Sequence, residues 1–354
     1  MEDNMSEGNN FRYRFINDYS ELAHPKVLGA LSAVGKMQFE GYGLDEFSFR
    51  AAELVKSKIA FPFADVHFIG GGTHANLVVL SSILRPHEAV IAPGSGHISV
   101  HEAGAVEATG HKICTVKSHN GKLNADDIDA VVFEHNDEHM VKPRVVYVSQ
   151  STENGTVYTK AELTEISECC HKNGLYLFLD GARLGAAINS PACDLSYCDV
   201  ARLTDVFYLG GTKNGALFGE AIVICTDGLK EDFRYHLKQK GAMLAKGAAI
   251  GIQFEALLSS GLYDELAAYA NSMALKMANG IRSAGFGFLY PVESNQIFPV
   301  FPVSVAEKLH QHFGFYDWRD EADDMVAVRL VASWATPESA VDEFLACLFE
   351  ITGR

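Results

Sequence analysis

The sequence is poor in positive charge. Its 354 residues include 29 lysines and arginines against 45 aspartates and glutamates, which gives a formal net charge of −16. Nucleic-acid phosphates and anionic membranes are bound by clustered lysines and arginines, so this balance argues against both as partners. No apolar run approaches the length of a membrane span, and residues 1–10 lack a signal-peptide core and the basic character of a transit peptide. We therefore expect a cytoplasmic protein.

Paired cysteines are missing as well. The seven cysteines are odd in number, scattered along the chain, and contain no Cys-x-x-Cys pair. This pattern is typical of reduced thiols rather than of a disulfide framework or a zinc site.

What the sequence does contain is an alternation of short apolar runs with stretches of helical spacing. Apolar runs bounded by glycine, proline or polar residues predict buried strands, and the segments between them predict helices on both faces of a sheet. The clearest strands are predicted at 65–69, 89–92, 112–116, 144–149, 175–180, 205–209 and 221–225, with helices at 73–84, 125–134 and 160–172. We predict an α/β fold with a mostly parallel central sheet flanked by helices.

The rhythm changes in the last third of the chain. Long helices are predicted at 233–258 and 263–284, followed by shorter elements at 296–301, 303–313, 325–332 and 337–351. This pattern predicts a large domain over residues 11–245 and a smaller α+β domain over residues 246–354. Residues 11–40 are a candidate to pack on the smaller domain.

One glycine-rich segment indicates a phosphate site. Gly70-Gly71-Gly72-Thr73-His74-Ala75-Asn76 follows a predicted strand and opens a predicted helix. Glycines allow the backbone to approach an anion closely, and a helix N-terminus presents unpaired N–H groups and the positive end of the helix dipole. The spacing is neither Gly-x-Gly-x-x-Gly nor a Walker sequence, which favours a small phosphorylated cofactor over a nucleotide.

Two charged residues stand where buried strands end. Asp180 closes the strand at 175–180, at the edge where α/β sheets bind ligands. It could hold a metal, cap the following helix, or pair with a protonated ring nitrogen. Lys213 follows the strand at 205–209 and lies among the small residues of Gly210-Gly211-Thr212-Lys213-Asn214-Gly215. Partial burial lowers the pKa of a lysine and makes its amine a better nucleophile toward an aldehyde.

A histidine pair is a further candidate. His97 and His101 stand four residues apart, and Glu102 follows directly. Such a pair can bind a metal, although the His-Glu-x-x-His order is absent and no third ligand is evident. Imidazoles also stack on aromatic cofactors. A metal-dependent hydrolase or metal-binding protein that uses these three residues stays open as an alternative.

Together, a phosphate segment, a histidine, an aspartate and a lysine follow the order of fold-type I pyridoxal-phosphate (PLP) enzymes. The chain resembles the low-specificity L-threonine aldolases of the beta-eliminating lyase family over nearly its whole length. The motifs that carry the resemblance are His24-Pro25, Gly41-Tyr42-Gly43, Gly71-Gly72-Thr73-His74-Ala75-Asn76, His97 with Glu102-Ala103-Gly104-Ala105, Thr152-Glu153-Asn154-Gly155-Thr156-Val157-Tyr158, Asp180-Gly181-Ala182-Arg183-Leu184-Gly185, Lys213, and Val328-Arg329-Leu330-Val331.

The resemblance implies PLP as the cofactor and a role for each residue around it. Lys213 would hold PLP as a Schiff base, and Asp180 would keep the ring nitrogen protonated. The N–H groups of Gly72 and Thr73 would bind the phosphate, and His97 would stack on the ring.

The resemblance also implies how substrate and subunits are arranged. Arg183 and Arg329 would bind the substrate carboxylate, because a guanidinium can bind two oxygens at once, and Arg183 would also border the cofactor. Family members are dimers or tetramers with sites at a subunit interface, and Tyr42 and Lys240 are candidates to reach a neighbour's cofactor.

The implied reaction cleaves a β-hydroxy-α-amino acid of the L-threonine, L-allo-threonine or phenylserine type to glycine and an aldehyde. Two positions depart from the family pattern. Glu153 replaces a histidine that contacts the substrate hydroxyl, and a carboxylate there could accept the hydroxyl proton. Asn17 replaces a serine that touches the substrate carboxylate and could donate the same hydrogen bond. His97 and His101 are further candidates for the base. Another PLP-dependent lyase, catalysing β-elimination or decarboxylation on the same fold, is the alternative function.

Overall fold

The computed structural model describes residues 11–118, 120–321 and 324–353. The strands are β1 (Tyr13–Arg14), β2 (Asp65–Ile69), β3 (Glu88–Pro93), β4 (Lys112–Val116), β5 (Lys142–Ser149), β6 (Tyr176–Asp180), β7 (Val206–Gly210), β8 (Glu220–Ile224), β9 (Gln296–Ile297), β10 (Val300–Pro302), β11 (Phe313–Gly314), β12 (Tyr316–Asp320) and β13 (Met325–Val331). The α-helices are α1 (Pro25–Ala33), α2 (Glu46–Lys58), α3 (Gly72–Ile83), α4 (His97–Val100), α5 (Ala125–Glu134), α6 (Lys160–Lys172), α7 (Leu184–Ile188), α8 (Tyr197–Leu203), α9 (Phe233–Gln239), α10 (Ala248–Leu258), α11 (Leu262–Ser283), α12 (Val303–His310) and α13 (Glu338–Thr352).

A seven-stranded sheet forms the centre of the molecule, with the strand order β2-β8-β7-β6-β5-β3-β4. β8 runs antiparallel to both of its neighbours, and the other pairs in the sheet are parallel. Successive residues of β5 alternate between the two faces, so Val146 and Val148 pack into one hydrophobic cluster and Val145 and Tyr147 into another. Helices cover both faces, and the predicted α/β class with its mostly parallel sheet is confirmed.

A further hydrophobic cluster, separate from the two on the faces of the large sheet, is built from the C-terminal elements. β10, β13 and β12 form an antiparallel sheet, with β9 also paired to β13. Phe301, Phe313 and Phe344 are buried in this cluster together with Phe15 from the N-terminal segment, and β1 pairs with β11. The division predicted at residues 245 and 246 stays a prediction, because packing crosses it: Phe254 and the rest of α10 lie in the cluster of the large sheet.

The prediction of one long helix at 233–258 is wrong. The chain forms two helices there, α9 and α10, with a turn between them. Gly241 has a φ of +72°, in the left-handed region that ends a helix, and a side chain at Gly247 would collide with the backbone of Gly43. The first constraint is local and the second is tertiary, and helical spacing alone reports neither. Within the described ranges no helix is long and apolar enough to cross a membrane.

Candidate active site

The predicted site residues meet at one edge of the large sheet. β6 ends at Asp180, and β7 ends three residues before Lys213. β2 and β3 lead into the helices that begin at Gly72 and His97, and β5 ends four residues before Glu153. Parallel strands bring their carboxyl ends to the same edge, which is where ligands bind in open α/β sheets.

Asp180 is buried and accepts four hydrogen bonds. Oδ2 accepts from the hydroxyl of Tyr147 at 2.6 Å and from Nδ2 of Asn76 at 3.2 Å. Oδ1 accepts from the hydroxyl of Tyr208 and from the N–H of Ala182 at 3.0 Å. Burial alone would raise the pKa of this carboxyl, but the donors outweigh it and hold the pKa below its ordinary value. Asp180 is therefore held as a carboxylate, the form that can pair with a protonated ring nitrogen.

Asn76 links Asp180 to a buried glutamate behind His97. Nδ2 of Asn76 also donates to Oε1 of Glu102 at 2.7 Å, and the same oxygen lies 2.7 Å from Nδ1 of His97. The Glu102 side chain is fully buried, whereas 34% of the His97 side chain is exposed. Glu102 thus fixes the orientation of the imidazole through Nδ1 and leaves the rest of the ring open to the cleft.

The metal alternative receives no support from this arrangement. His97 and His101 lie with ring centroids 5.5 Å apart and planes tilted by 51°, and Glu102 is engaged with Nδ1 of His97 and with Asn76. Across residues 11–118, 120–321 and 324–353, no three His, Cys, Asp or Glu side chains are grouped so that they could hold a metal ion.

Glu153 lies beside His97 and has one engaged and one unpaired oxygen. Oε1 accepts from the backbone N–H of His97 at 3.0 Å and from the hydroxyl of Ser149 at 2.8 Å. Oε2 is buried without a hydrogen-bond partner in the described chain. Burial, together with the negative charge of Asp180, raises the pKa of Glu153. A carboxyl of raised pKa with a free oxygen is suited to exchanging a proton with a bound molecule.

The N-terminus of α3 is open to a ligand. No side chain caps this helix, and the N–H groups of Gly72 and Thr73 donate to no described residue. A Cβ at position 72 would lie 3.0 Å from the hydroxyl of Tyr208, which binds Asp180. Gly72 is therefore needed for the contact that fixes the carboxylate as well as for the close approach of an anion.

Lys213 lies in a constrained turn after β7. The N–H of Asn214 donates to the carbonyl of Gly211 at 2.9 Å, and the hydroxyl of Tyr263 donates to the carbonyl of Gly210 at 2.7 Å. Nζ of Lys213 lies 5.9 Å from the ring centroid of Tyr19. Burial and the positive charge of Arg183 lower the pKa of the Lys213 amine. Both effects favour the neutral, nucleophilic form.

Arg183 is already paired within the chain. Nε and Nη2 donate to the two oxygens of Asp18 at 2.7 and 2.9 Å, and Nδ2 of Asn295 donates to Asp18 at 2.9 Å. The two partners are only 9% and 1% exposed at their side chains. Burial would raise the pKa of Asp18, but the charges of Arg183 and Lys213 hold it well below its ordinary range. The edge of the Arg183 guanidinium formed by Nε and Nη2 is therefore occupied by the carboxylate of Asp18, which already neutralises its charge.

Arg329 differs from Arg183. Nε and Nη2 both donate to the amide oxygen of Gln296, at 3.2 and 2.6 Å, and no described carboxylate lies within salt-bridge distance. Burial and the nearby charge of Arg183 lower the pKa of Arg329 to about 10. A cation that is desolvated and lacks a counter-ion is a site for an anionic ligand.

Three other predicted residues lie away from these contacts. Oδ1 of Asn17 accepts from the N–H of Tyr19 at 2.9 Å and from the hydroxyl of Ser20 at 3.0 Å, so it caps a local turn. Tyr42 is 44% exposed, with Nζ of Lys238 4.4 Å from its ring centroid. The carbonyl of Lys240 lies 3.0 Å from Nε2 of His74. The roles predicted for these residues stay predictions.

Several residues of the site were not predicted from the sequence. Tyr147 and Tyr208 interrupt otherwise apolar strands, and because a buried tyrosine usually requires a hydroxyl partner, they could have been recognised from that pattern. Asp18 and Gln296 left no comparable signal. Their contacts with Arg183 and Arg329 join segments that are 165 and 33 residues apart in sequence.

The family model described as beta-eliminating lyase matches residues 31–303. The chain belongs to the beta-eliminating lyase family. A low-specificity L-threonine aldolase from a Pseudomonas species is 34% identical over 342 residues, which cover 94% of this chain and 96% of that protein. A threonine aldolase structure from Leishmania major is 46% identical, has a TM-score of 0.95, and covers 96% and 99% of the two chains. Aspartate aminotransferase from Thermus thermophilus, 16% identical with a TM-score of 0.72 over 97% of this chain and 92% of that one, shows the same fold.

Beta-eliminating lyases depend on PLP, and the groups of this site fit that cofactor. The uncapped N-terminus of α3 matches a phosphate, the carboxylate of Asp180 matches a protonated ring nitrogen, and the amine of Lys213 matches an aldehyde. Each of these three groups lies at the same edge of the sheet.

Proposed function

We propose that this chain is a PLP-dependent aldehyde-lyase that cleaves a β-hydroxy-α-amino acid of the L-threonine, L-allo-threonine or phenylserine type into glycine and an aldehyde. The observation that carries the proposal is that the amine of Lys213 and the carboxylate of Asp180 lie at the same edge of the sheet, while the guanidinium of Arg329 has no carboxylate partner among the described residues. The threonine aldolases of a Pseudomonas species and of Leishmania major add support through their similarity over nearly the whole chain.

The cofactor contributes one property that side chains lack. When bound, PLP takes up the electron pair of the bond that breaks at Cα. Asp180 maintains that property, since its carboxylate stabilises a proton on the ring nitrogen. Lys213 would hold the cofactor covalently, and in its neutral form its Nζ could carry a proton to or from Cα of the substrate.

Arg329 orients the substrate. An α-carboxylate supplies the counter-ion that Arg329 lacks and can bind its guanidinium through two oxygens. By holding the carboxylate, Arg329 would restrict the orientation of the Cα substituents and so select which bond to Cα can react.

Glu153 is the base that we propose for the β-hydroxyl. Its unpaired Oε2 is free to accept the hydroxyl proton, and its raised pKa makes it a better acceptor than an ordinary carboxylate. His101 is the second candidate. Burial and the charges of His97 and Arg329 lower its pKa, so its imidazole is neutral at neutral pH.

Product analysis tests the proposal. Purified protein loaded with PLP is incubated with L-threonine, L-allo-threonine and phenylserine, and glycine and aldehyde are quantified together with pyruvate, ammonia and amines. Equimolar glycine and aldehyde are expected. Pyruvate with ammonia would instead identify a β-elimination lyase, and an amine without glycine a decarboxylase. Cofactor absorbance, followed in the same samples and with glycine alone, reports binding separately from turnover.

The assembly and location of the enzyme are further proposals. Tyr42 is exposed, and both it and Lys240 lie outside the contacts around Lys213, as expected of residues that serve a neighbouring subunit. We propose a homodimer or homotetramer with interfacial sites in the cytoplasm, acting on a small amino acid. Sedimentation of the wild type measures the oligomeric state. Mixed-subunit complementation between Tyr42→Ala and Lys213→Ala tests whether one site draws residues from two subunits.

A further inference from the structure

A second buried carboxylate lies at the edge of the sheet that carries the site. Glu220 is the first residue of β8 and pairs in register with Gly210 of β7 and Ile69 of β2. Because β8 runs antiparallel to both neighbours, its first residue lies where they end. Glu220 is only 3% exposed.

Both oxygens of Glu220 are bonded to the two residues that precede Lys213. Oε2 accepts from the N–H of Gly211 at 2.8 Å, and Oε1 accepts from the hydroxyl of Thr212 at 2.7 Å. The Thr212 hydroxyl in turn accepts from the N–H of Gly219 at 3.0 Å, which ties the turn back to the start of β8. The position of Lys213 thus depends on a side chain seven residues further along the chain.

The ionisable groups around Glu220 differ in the charge that they carry. The ionisable groups that act on it or feel its charge are Lys213 from the turn, Asp180 from β6, Tyr208 from β7 and Tyr263 from α11. Among these, Lys213 is the only cation. No described lysine, arginine or histidine forms a salt bridge with Glu220, so its charge is directed at Lys213 without competition from an ion pair.

We propose that Glu220 is a positioning residue for Lys213, which anchors the turn before the lysine and places a negative charge behind it that favours the protonated state of its nitrogen. The inference rests on the proposed role of Lys213 as the cofactor-binding lysine. Burial raises the pKa of Glu220 to about 7 and lowers that of Lys213, and the attraction between the two opposite charges opposes both shifts.

The pH dependence of Lys213 labelling in the cofactor-free protein tests this inference without turnover. The wild type, Glu220→Gln and Glu220→Asp are reductively methylated across a range of pH, and modification of Lys213 is followed by peptide mass spectrometry. Glu220→Gln removes the charge at nearly constant volume, so we expect the midpoint of labelling to fall by about one pH unit. Glu220→Asp retains the charge and is expected to restore most of the midpoint.

A matched control is provided by Glu88, another buried glutamate, which lies at the start of β3 and accepts from the N–H of Arg85 at 2.9 Å. Glu88→Gln should leave the Lys213 midpoint at the wild-type value. Coinciding midpoints for wild type and Glu220→Gln would overturn the inference. Should Glu220→Gln not fold, Thr212→Val removes one donor to Glu220, and we expect a smaller shift in the same direction; no shift there would equally overturn it.

The cofactor-loaded protein separates this inference from the proposed function. A wild-type protein that shows no visible cofactor band and no borohydride-trapped adduct on Lys213 would refute the cofactor role of Lys213, whereas the labelling experiment above would still report on the charge of Glu220. Where the band is present, its midpoint on pH titration is expected to fall by about one unit in Glu220→Gln and to stay unchanged in Glu88→Gln.

Discussion

Two groups of residues around Lys213 differ in whether the chain itself provides partners for their charged atoms. In the Asp180 group, the carboxylate accepts hydrogen bonds from Tyr147, Tyr208, Asn76 and Ala182, so the chain itself holds it in position. In the Arg329 group, Arg329 has no carboxylate partner and Oε2 of Glu153 has no hydrogen-bond donor among the described residues.

The difference follows from what each group has to bind. A buried polar atom without a partner costs free energy, and at Arg329 and Glu153 a ligand can supply the partner that the chain does not provide. Groups that hold a permanent cofactor are fixed in advance by the chain. Groups that meet a substrate remain unsatisfied until it arrives. The predictions below test this contrast, from the largest expected effect to the smallest.

Lys213→Ala removes the amine that lies between the two groups of residues. Turnover is expected to fall at least about a thousandfold, because the variant lacks the amine that would bind the cofactor covalently. Steady-state rates and the visible absorbance of the cofactor measure the loss. Lys172→Ala, which changes an exposed lysine paired with Asp129, is the control. A borohydride-trapped adduct on a different lysine would show that Lys213 is the wrong residue.

Much of the Asp180 group could be predicted from the sequence, and less of the Arg329 group could. Asp180 is the last residue of a strand, Gly72 and Lys213 each follow a strand by three residues, and the periodicity that locates these strands is local information. The pairing of Arg183 with Asp18 depends on how the N-terminal segment folds back, and no periodicity encodes it. The two arginines therefore looked equivalent in sequence, although only Arg329 is without a carboxylate.

Arg329→Gln should consequently weaken substrate binding, whereas Arg183→Gln should lower the stability of the fold. Arg329→Gln is expected to lower kcat/KM about a hundredfold, chiefly through KM, and to leave the free energy of unfolding undiminished, since it removes a desolvated cation without a counter-ion. Arg183→Gln leaves the buried Asp18 unpaired and should lower the free energy of unfolding by about 3 kcal/mol.

Denaturant titration and steady-state kinetics on both variants make this comparison. Asp18→Asn combined with Arg183→Gln is expected to recover part of the lost stability, because it removes the unpaired charge. Equal destabilisation by the two single variants, or an unchanged KM in Arg329→Gln, would contradict the contrast between the arginines.

Glu153→Gln tests whether the unpaired oxygen takes part in chemistry. We expect kcat on β-hydroxy substrates to fall about a hundredfold, the lower end of what a positioned base contributes, with cofactor binding retained. Because the pKa of Glu153 is raised, the acid limb of the wild-type pH profile should lie above the ordinary carboxyl range and should be absent in the variant. An unchanged rate would shift the role of base to His101 or His97, which His101→Gln then distinguishes.

The smallest effect concerns the two buried carboxylates, Asp180 and Glu220. Asp180 accepts four hydrogen bonds and its pKa is lowered, whereas Glu220 accepts two, and burial raises its pKa from 4.5 to about 7. The larger number of donors at Asp180 favours its ionised form, while the charge of Asp180 adds to the effect of burial at Glu220. The folded protein keeps a proton on Glu220 at pH values where the unfolded chain has lost it, so Glu220 reduces stability as the pH rises from about 4.5 to about 7.

Glu220→Gln removes this penalty. Relative to the wild type, the cofactor-free variant is expected to gain a few degrees in Tm between pH 5 and pH 8, roughly what one kcal/mol changes in a chain of this size. Differential scanning calorimetry at the two pH values measures the change, with Glu88→Gln as the matched substitution. A Tm difference that is the same at both pH values would mean that Glu220 is ionised at pH 5 already. Two donors would then be enough to hold a buried carboxylate in its charged form, and the extra hydrogen bonds at Asp180 would serve to orient it rather than to set its charge.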